Sequence, residues 1–187
     1  VHGTDVARGG EPGRPIVHRI VGPKDAALER AQADGLQVLT GRYSVEKYDA
    51  ASGDLYEVIT LPPNLFLTAG ITKLWNLVAG VSSTHLDATN TRLAVGDSST
   101  AAAAGQTDLL GTNTFRKLVS GAPVISTNQI TFSSSFATGE ANFAWLEVGV
   151  GDAASGQLIS RTAINSPGLG TKVNTAVWVL NWTLSIS

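Results

Sequence analysis

The sequence predicts a mainly β protein: an antiparallel β-sandwich or jelly roll carrying one amphipathic helix at about residues 68–79, preceded by an extended N-terminal arm with a short helix. Three observations predict it. Charged residues make up only 15% of the 187-residue chain, while Gly, Ser, Thr and Ala are plentiful; this composition is poor in solvated helix faces and suits strands joined by tight turns. From Tyr43 onward, short β-prone runs recur between turn residues. The last run, VNTAVWVLNWTLSIS at 173–187, alternates with a period of two. Ala176, Trp178, Leu180, Trp182, Leu184 and Ile186 fall on one face, and Asn181, Thr183, Ser185 and Ser187 on the other. Burying ~200 Å² of each indole at ~25 cal/mol/Å² is worth roughly 10 kcal/mol gross, comparable with the ~5–15 kcal/mol net stability of a domain. That strand is therefore expected in the interior of the framework.

The chain divides at residue 40, with an arm over 1–40 and the β domain over 41–187. Residues 1–22 hold five glycines and two prolines without a sustained apolar period, too little to offset their ordering entropy unaided. Ile16, Val17, Ile20 and Val21 are the arm's candidate contacts with a larger surface. Pro23, the formers KDAALERAQAD and Gly35 predict a helix over about 23–34. RYSVEKY and LYEVITL flank DAASGD as a hairpin closed by Pro62 and Pro63. In LTAGITKLWNLVAG, Leu67, Ile71, Leu74, Trp75 and Val78 recur at helical spacing with Thr68 as N-cap, which places Trp75 in the core. The remaining strands are expected at 91–96, 114–119, 129–137, 143–150, 157–164 and 173–187, with turns at 151–156 and 166–171. Trp145, Trp178 and Trp182 join Trp75 as expected core residues.

Composition and motifs exclude more than they select. A formal charge of −2 supplies no basic field for nucleic acid. The absence of cysteine rules out disulfides and thiolate metal sites. No apolar run approaches the ~20 residues of a membrane span, and VHGTDVARGG has no signal core. The chain is expected to be made in a cytoplasm, with Val1 exposed by removal of the initiator. Gly96-Asp97-Ser98 resembles the surroundings of a hydrolase serine, yet the histidines available as base are only His2, His18 and His85, and a turn is the simpler reading. His85 and Asp87 lack the further ligands of a metal site. Gly149 to Ala154 spells GxGxxA, but Ser155 and Gly156 lead into another strand rather than a helix. Asn181-Trp-Thr183 is a glycosylation sequon in spelling only. No catalytic, cofactor or metal residue is therefore assigned, and no enzyme activity is expected. Glu147, counted onto the face of Phe143 and Trp145, needs a partner; Arg161 or Arg116 is expected to pair with it and pin strand register.

Taken in order, NLFLTAGITKLW, TRLAVGDSST, WLEVGV, LISRTAI and GTKVNTAVWVLNWTLSI resemble small virion proteins of tailed bacteriophages, placed as head decoration (cement) proteins, head fibres or tail-fibre domains. The resemblance covers about residues 64–187. It implies a β-sandwich virion component, often trimeric, without catalytic residues and without a cofactor. The expected partner is the major capsid protein or another virion protein, with the chain bridging coat subunits on the head. The alternative is a tail-fibre, baseplate or head-fibre adhesion domain that recognises a host surface.

Overall fold

The computed structural model describes residues 4–6, 14–81, 84–164 and 168–187. Its elements are β1 (Thr4–Val6), β2 (Ile16–Ile20), α1 (Pro23–Ala33), β3 (Leu39–Asp49), β4 (Leu55–Pro63), β5 (Leu65–Phe66), α2 (Thr68–Val78), β6 (Thr91–Gly96), β7 (Thr114–Leu118), β8 (Val124–Ser126), β9 (Gln129–Phe136), β10 (Glu147–Asp152), β11 (Leu158–Ala163) and β12 (Ala176–Ile186). They form a seven-stranded sheet, β1-β2-β4-β3-β12-β9-β8, and a five-stranded sheet, β5-β11-β10-β6-β7. The fold is mainly β with two sheets sharing one core, consistent with a sandwich.

β12 runs between β3 and β9, antiparallel to both, the interior position its alternation predicts. Trp178, Leu180 and Trp182 are buried, together with Trp145. Trp145 meets Trp178 edge to face at 4.8 Å, and Phe136 meets Trp145 at 4.9 Å, separations in the favoured range for aromatic pairs. The opposite face of β12 is laced by short polar side chains. Thr131 and Thr183 hydroxyls lie 2.9 Å apart, Ser133 donates to Asn181 Oδ1 at 2.5 Å, and Asn181 Nδ2 donates to Glu46 at 3.0 Å. Both ends of the Asn181 amide are thus engaged inside the sheet, leaving the sequon no free acceptor.

The boundary expected at residue 40 does not separate the described part of the arm from the β domain. β2 pairs in parallel with β4, Ile16 opposite Glu57 and Arg19 opposite Thr60, because the edge of β4 offers ladder groups that a β-prone IVHRI run can satisfy. Ile20 packs against the main core, whereas Ile16 and Val17 remain 55% and 52% exposed, and Val21 is also exposed. α1 opens with Pro23, and Gly22 N–H donates to Asp25 Oδ2 at 2.8 Å while Asp25 N–H donates to the Gly22 carbonyl at 3.0 Å; the carboxylate supplies its half of a capping box, and glycine has no side chain to supply the other. The same carboxylate accepts from Arg42 at 2.8 Å and Arg19 at 3.2 Å, clamping helix, β2 and β3 together.

α2 starts at the expected place, but its N-cap is Leu67, without a side-chain cap, and not Thr68. The helix meets the sheet through Gly70, where any Cβ would collide with the Ile159 backbone. This close approach sets the helix rotation. Gly70 is buried, whereas Ile71, Trp75 and Val78 face outward. Trp75 is 65% exposed, so it is not a core residue. The apolar stripe is wide enough to bury one flank and leave the other in solvent.

Three smaller differences have local causes. The run 143–150 is regular only from Glu147. The irregular stretch before it breaks the count of two, so Trp145 enters the main core while Glu147 lies on the other face of the five-stranded sheet. β8 is a three-residue edge strand closed on β9 across Thr127 and Asn128, too short to register as a β run. The turn expected at 166–171 lies partly outside the described residues.

Candidate functional site

Among the described residues, the deepest charge pair is the expected one. Glu147 and Arg161 sit on β10 and β11, which pair antiparallel with Gly149 opposite Arg161. That diagonal brings Arg161 Nε to 2.6 Å from Glu147 Oε2, both side chains being 0% exposed. Arg116, the second candidate, pairs instead with Asp108. The remaining valences are filled by the segment joining β6 to β7. Glu147 accepts from the N–H groups of Leu110, at 3.0 Å, and Gly111, at 2.7 Å, while Arg161 donates to Gln106 Oε1 at 3.0 Å and the Thr100 carbonyl at 2.9 Å. A Cβ at Gly96 would press on the Glu147 carboxylate, and one at Gly111 would meet Asp97 first and Glu147 next. With every polar group satisfied in low dielectric, the pair anchors the segment 97–113 to the sheet. Beneath that segment and α2 lies a second apolar cluster of Leu67, Ala94, Leu109 and Leu158.

Other buried charges are absorbed in the same manner. Lys47, inward-facing by alternation with Tyr43 and Val45, donates to Glu57 and to the Leu169 carbonyl at 2.6 Å each, and its ammonium lies 4.4 Å from the Trp178 ring centre. His18 approaches the other oxygen of Glu57 at 3.4 Å. Lys172 donates to the Ala137 carbonyl and Asn142; burial lowers its pKa, against the pull of Glu140. Burial pushes the Asp25 carboxyl up, but the Gly22 N–H, Arg42 and Arg19 outweigh it and hold the carboxyl below its usual range. Tyr48 donates to Glu46 at 2.5 Å, and that bond, more than burial, raises the phenol to about 12. These ties escaped sequence reasoning, although a lysine on the dry phase of an alternating strand was a signal for Lys47.

The remaining sequence candidates resolve into turns. Asp97 accepts from Asn113 N–H and Nδ2, and Ser98 Oγ accepts from Thr100 N–H. Asp87 accepts from Thr89 and Asn90, and no cluster of three metal-ligating side chains occurs among the described residues. Gly149 and Gly151 lie within β10 and lead to a turn rather than a helix. His2 lies outside the described residues. A cleft of about 360 Å³ opens between α2 and the β10–β11 turn, lined by Thr72, Lys73, Asn76, Asp152 and Gln157 among others, with Lys73 and Asp152 paired at 3.1 Å.

The exposed large apolar side chains include Ile16, Val17 and Val21 in and just after β2, Val124 and Ile125 on β8, and Ile71, Trp75 and Val78 on α2, with Val81 following; others are scattered, among them Leu36, Tyr56 and Val173. No helix among the described residues is long and apolar enough to cross a membrane. Compared with protein-family models, curated proteins and solved structures, the chain matches none.

Proposed function

We propose that this chain is a structural virion component, a capsid decoration (cement) protein made in the host cytoplasm that binds a bacteriophage head non-covalently and stabilises it by bridging coat subunits. The observation that carries the reading is a division of labour among side chains. The buried charges Asp25, Lys47, Glu147, Asp152, Arg161 and Lys172 are matched by partners within the fold, while Ile16, Val17 and Val21 stand in solvent at and beside the strand β2. Groups so matched hold structure rather than react, and apolar side chains exposed beside the outer strands of a sheet offer a docking margin. The resemblance of the phrases over 64–187 supports a virion component and a homo-oligomer, a trimer favoured; the spacing of the strands and Gly-rich turns supports a jelly-roll form of the sandwich, and the coat protein is the partner that the decoration reading requires. Binding only the assembled coat stabilises it by mass action.

The test is co-sedimentation with heads of the phage that encodes the chain. Wild-type protein is expected to pellet with the heads, and Ile16→Asp/Val17→Asp to stay in the supernatant while its thermal melt is unchanged. Equal pelleting of both would remove the β2 margin from the account.

One observation favours a second reading. Exposed aromatics on loops would favour an adhesion surface; Trp75 is exposed, though on the helix α2, whose Thr72 and Asn76 line the polar cleft. A tail-fibre, baseplate or head-fibre adhesion domain would use that corner to meet a host surface. Binding to host cells with no binding to heads would establish this alternative.

A further inference from the structure

We infer that the outward face of α2 is a seam at which copies of this chain meet one another. This goes beyond the virion reading and does not depend on it; its twofold pairing is an alternative to the trimer that the resemblance suggests. The face is built by spacing: Ile71, Trp75 and Val78 stand at i, i+4 and i+7, one line along a helix. Val81 extends it past the helix end. Trp75 is 65% and Val78 80% exposed, and Ile71 and Val81 are exposed as well. The line exists because Gly70, not a larger residue, touches β11, which turns this flank outward.

Charge argues for a second copy as the occupant. Between Glu57 and Asp87 the single Lys, Arg, Asp or Glu is Lys73, and it pairs with Asp152 on the cleft side of the helix. The stripe therefore carries no ionic handle by which a charged partner would be steered or selected. An identical stripe meets it without repulsion, neutral against neutral. Shape argues likewise. With two copies of α2 antiparallel about a twofold near Trp75, each Ile71 faces the small end of the other helix, where Val78, Ala79 and Gly80 leave room. Trp75 then sits at the centre, the position where a buried tryptophan contributes most to an interface.

Area is sufficient for association, not for permanence. Trp75 offers roughly 150 Å², and with Ile71, Val78, Val81 and the exposed flanks Thr72, Ala79 and Gly80, two copies together cover on the order of 1,000 Å², the lower bound of specific interfaces. A seam of that size belongs with weak, concentration-dependent encounters and becomes firmer wherever a scaffold holds copies side by side.

Sedimentation velocity on the purified chain alone tests the seam. Wild-type protein at tens of micromolar is expected to run at two or more chain masses, and Trp75→Glu at one, 19.4 kDa, with an unchanged far-ultraviolet spectrum. If Trp75→Glu does not fold, Val78→Glu decides in its place. A wild-type protein that sediments as a single chain, or an assembly that survives the folded variant, overturns the inference. Neither result depends on heads: a single-chain protein that still pelleted with them would sink the seam and leave the decoration reading standing.

Discussion

Replacing Arg161 with Met removes the cation from a pair with no access to water. The guanidinium's bonds to Glu147, Gln106 and the Thr100 carbonyl are lost, and Glu147 keeps only the N–H groups of Leu110 and Gly111. Leaving one member of a buried pair uncompensated costs about 3–5 kcal/mol, a large share of the ~5–15 kcal/mol that a domain possesses. For a chain of this length each kcal/mol moves the melting temperature by about 2–4 °C, so Arg161→Met is expected to melt on the order of 6–20 °C lower. The segment 97–113 should also gain protease sensitivity, because two of its anchors attach to Arg161. The double variant Glu147→Met/Arg161→Met removes the uncompensated charge but also takes the acceptor from the Leu110 and Gly111 N–H groups, so it should recover only part of the loss. Scanning calorimetry with limited proteolysis reads all three. A single variant melting within about 2 °C of wild type, or one whose segment 97–113 is no more protease-sensitive than wild type, would refute the assignment of this pair as the segment's anchor.

Three further outcomes follow from the packing and the charges. Gly70→Ala should destabilise by about 1–3 kcal/mol in urea unfolding, the range for overpacking, because its methyl meets the Ile159 backbone rather than a side chain that can yield; an unchanged midpoint would contradict the close approach of α2. The folded pKa of Asp25 is depressed, so its clamp is fully present above the unfolded value of ~3.9 and lost as pH falls through the folded one. Asp25→Asn should therefore lower stability at neutral pH and lessen its further decline below pH ~4, and parallel pH curves for the two proteins would count against the clamp. At submicromolar concentration, where copies are apart, iodide should quench the emission of Trp75 alone among the four tryptophans, and Trp75→Phe should abolish quenching; residual quenching would place Trp145, Trp178 or Trp182 at the surface.

The parts of the fold legible in the sequence were those set by local periodicity. The alternation of β12 put Trp178 and Trp182 on the dry face, Pro23 and Gly35 bracketed α1, and Gly53, with its positive φ of 77°, marked the β3–β4 turn. The Glu147–Arg161 contact was legible because a carboxylate among apolar residues needs a cation and the following run supplied one. What escaped were relations between distant segments. Nothing in IVHRI announces a parallel partner in β4. Helical spacing predicts that α2 has an apolar stripe but not how that stripe is turned; the rotation depends on Gly70 finding the β11 backbone. The period of two failed before Glu147 because the chain there is not yet a strand. The ties of Asp25, Lys47 and Lys172 join residues far apart in sequence and become visible only once the sheets are assembled.

The proposed role is tested most directly by electron cryomicroscopy of purified particles of the phage that encodes the chain. The account predicts density for this two-sheet domain on the head, with the exposed Ile16 and Val17 of β2 against coat subunits and the density bridging neighbours. Density at the tail tip, or particles lacking the chain altogether, would contradict it.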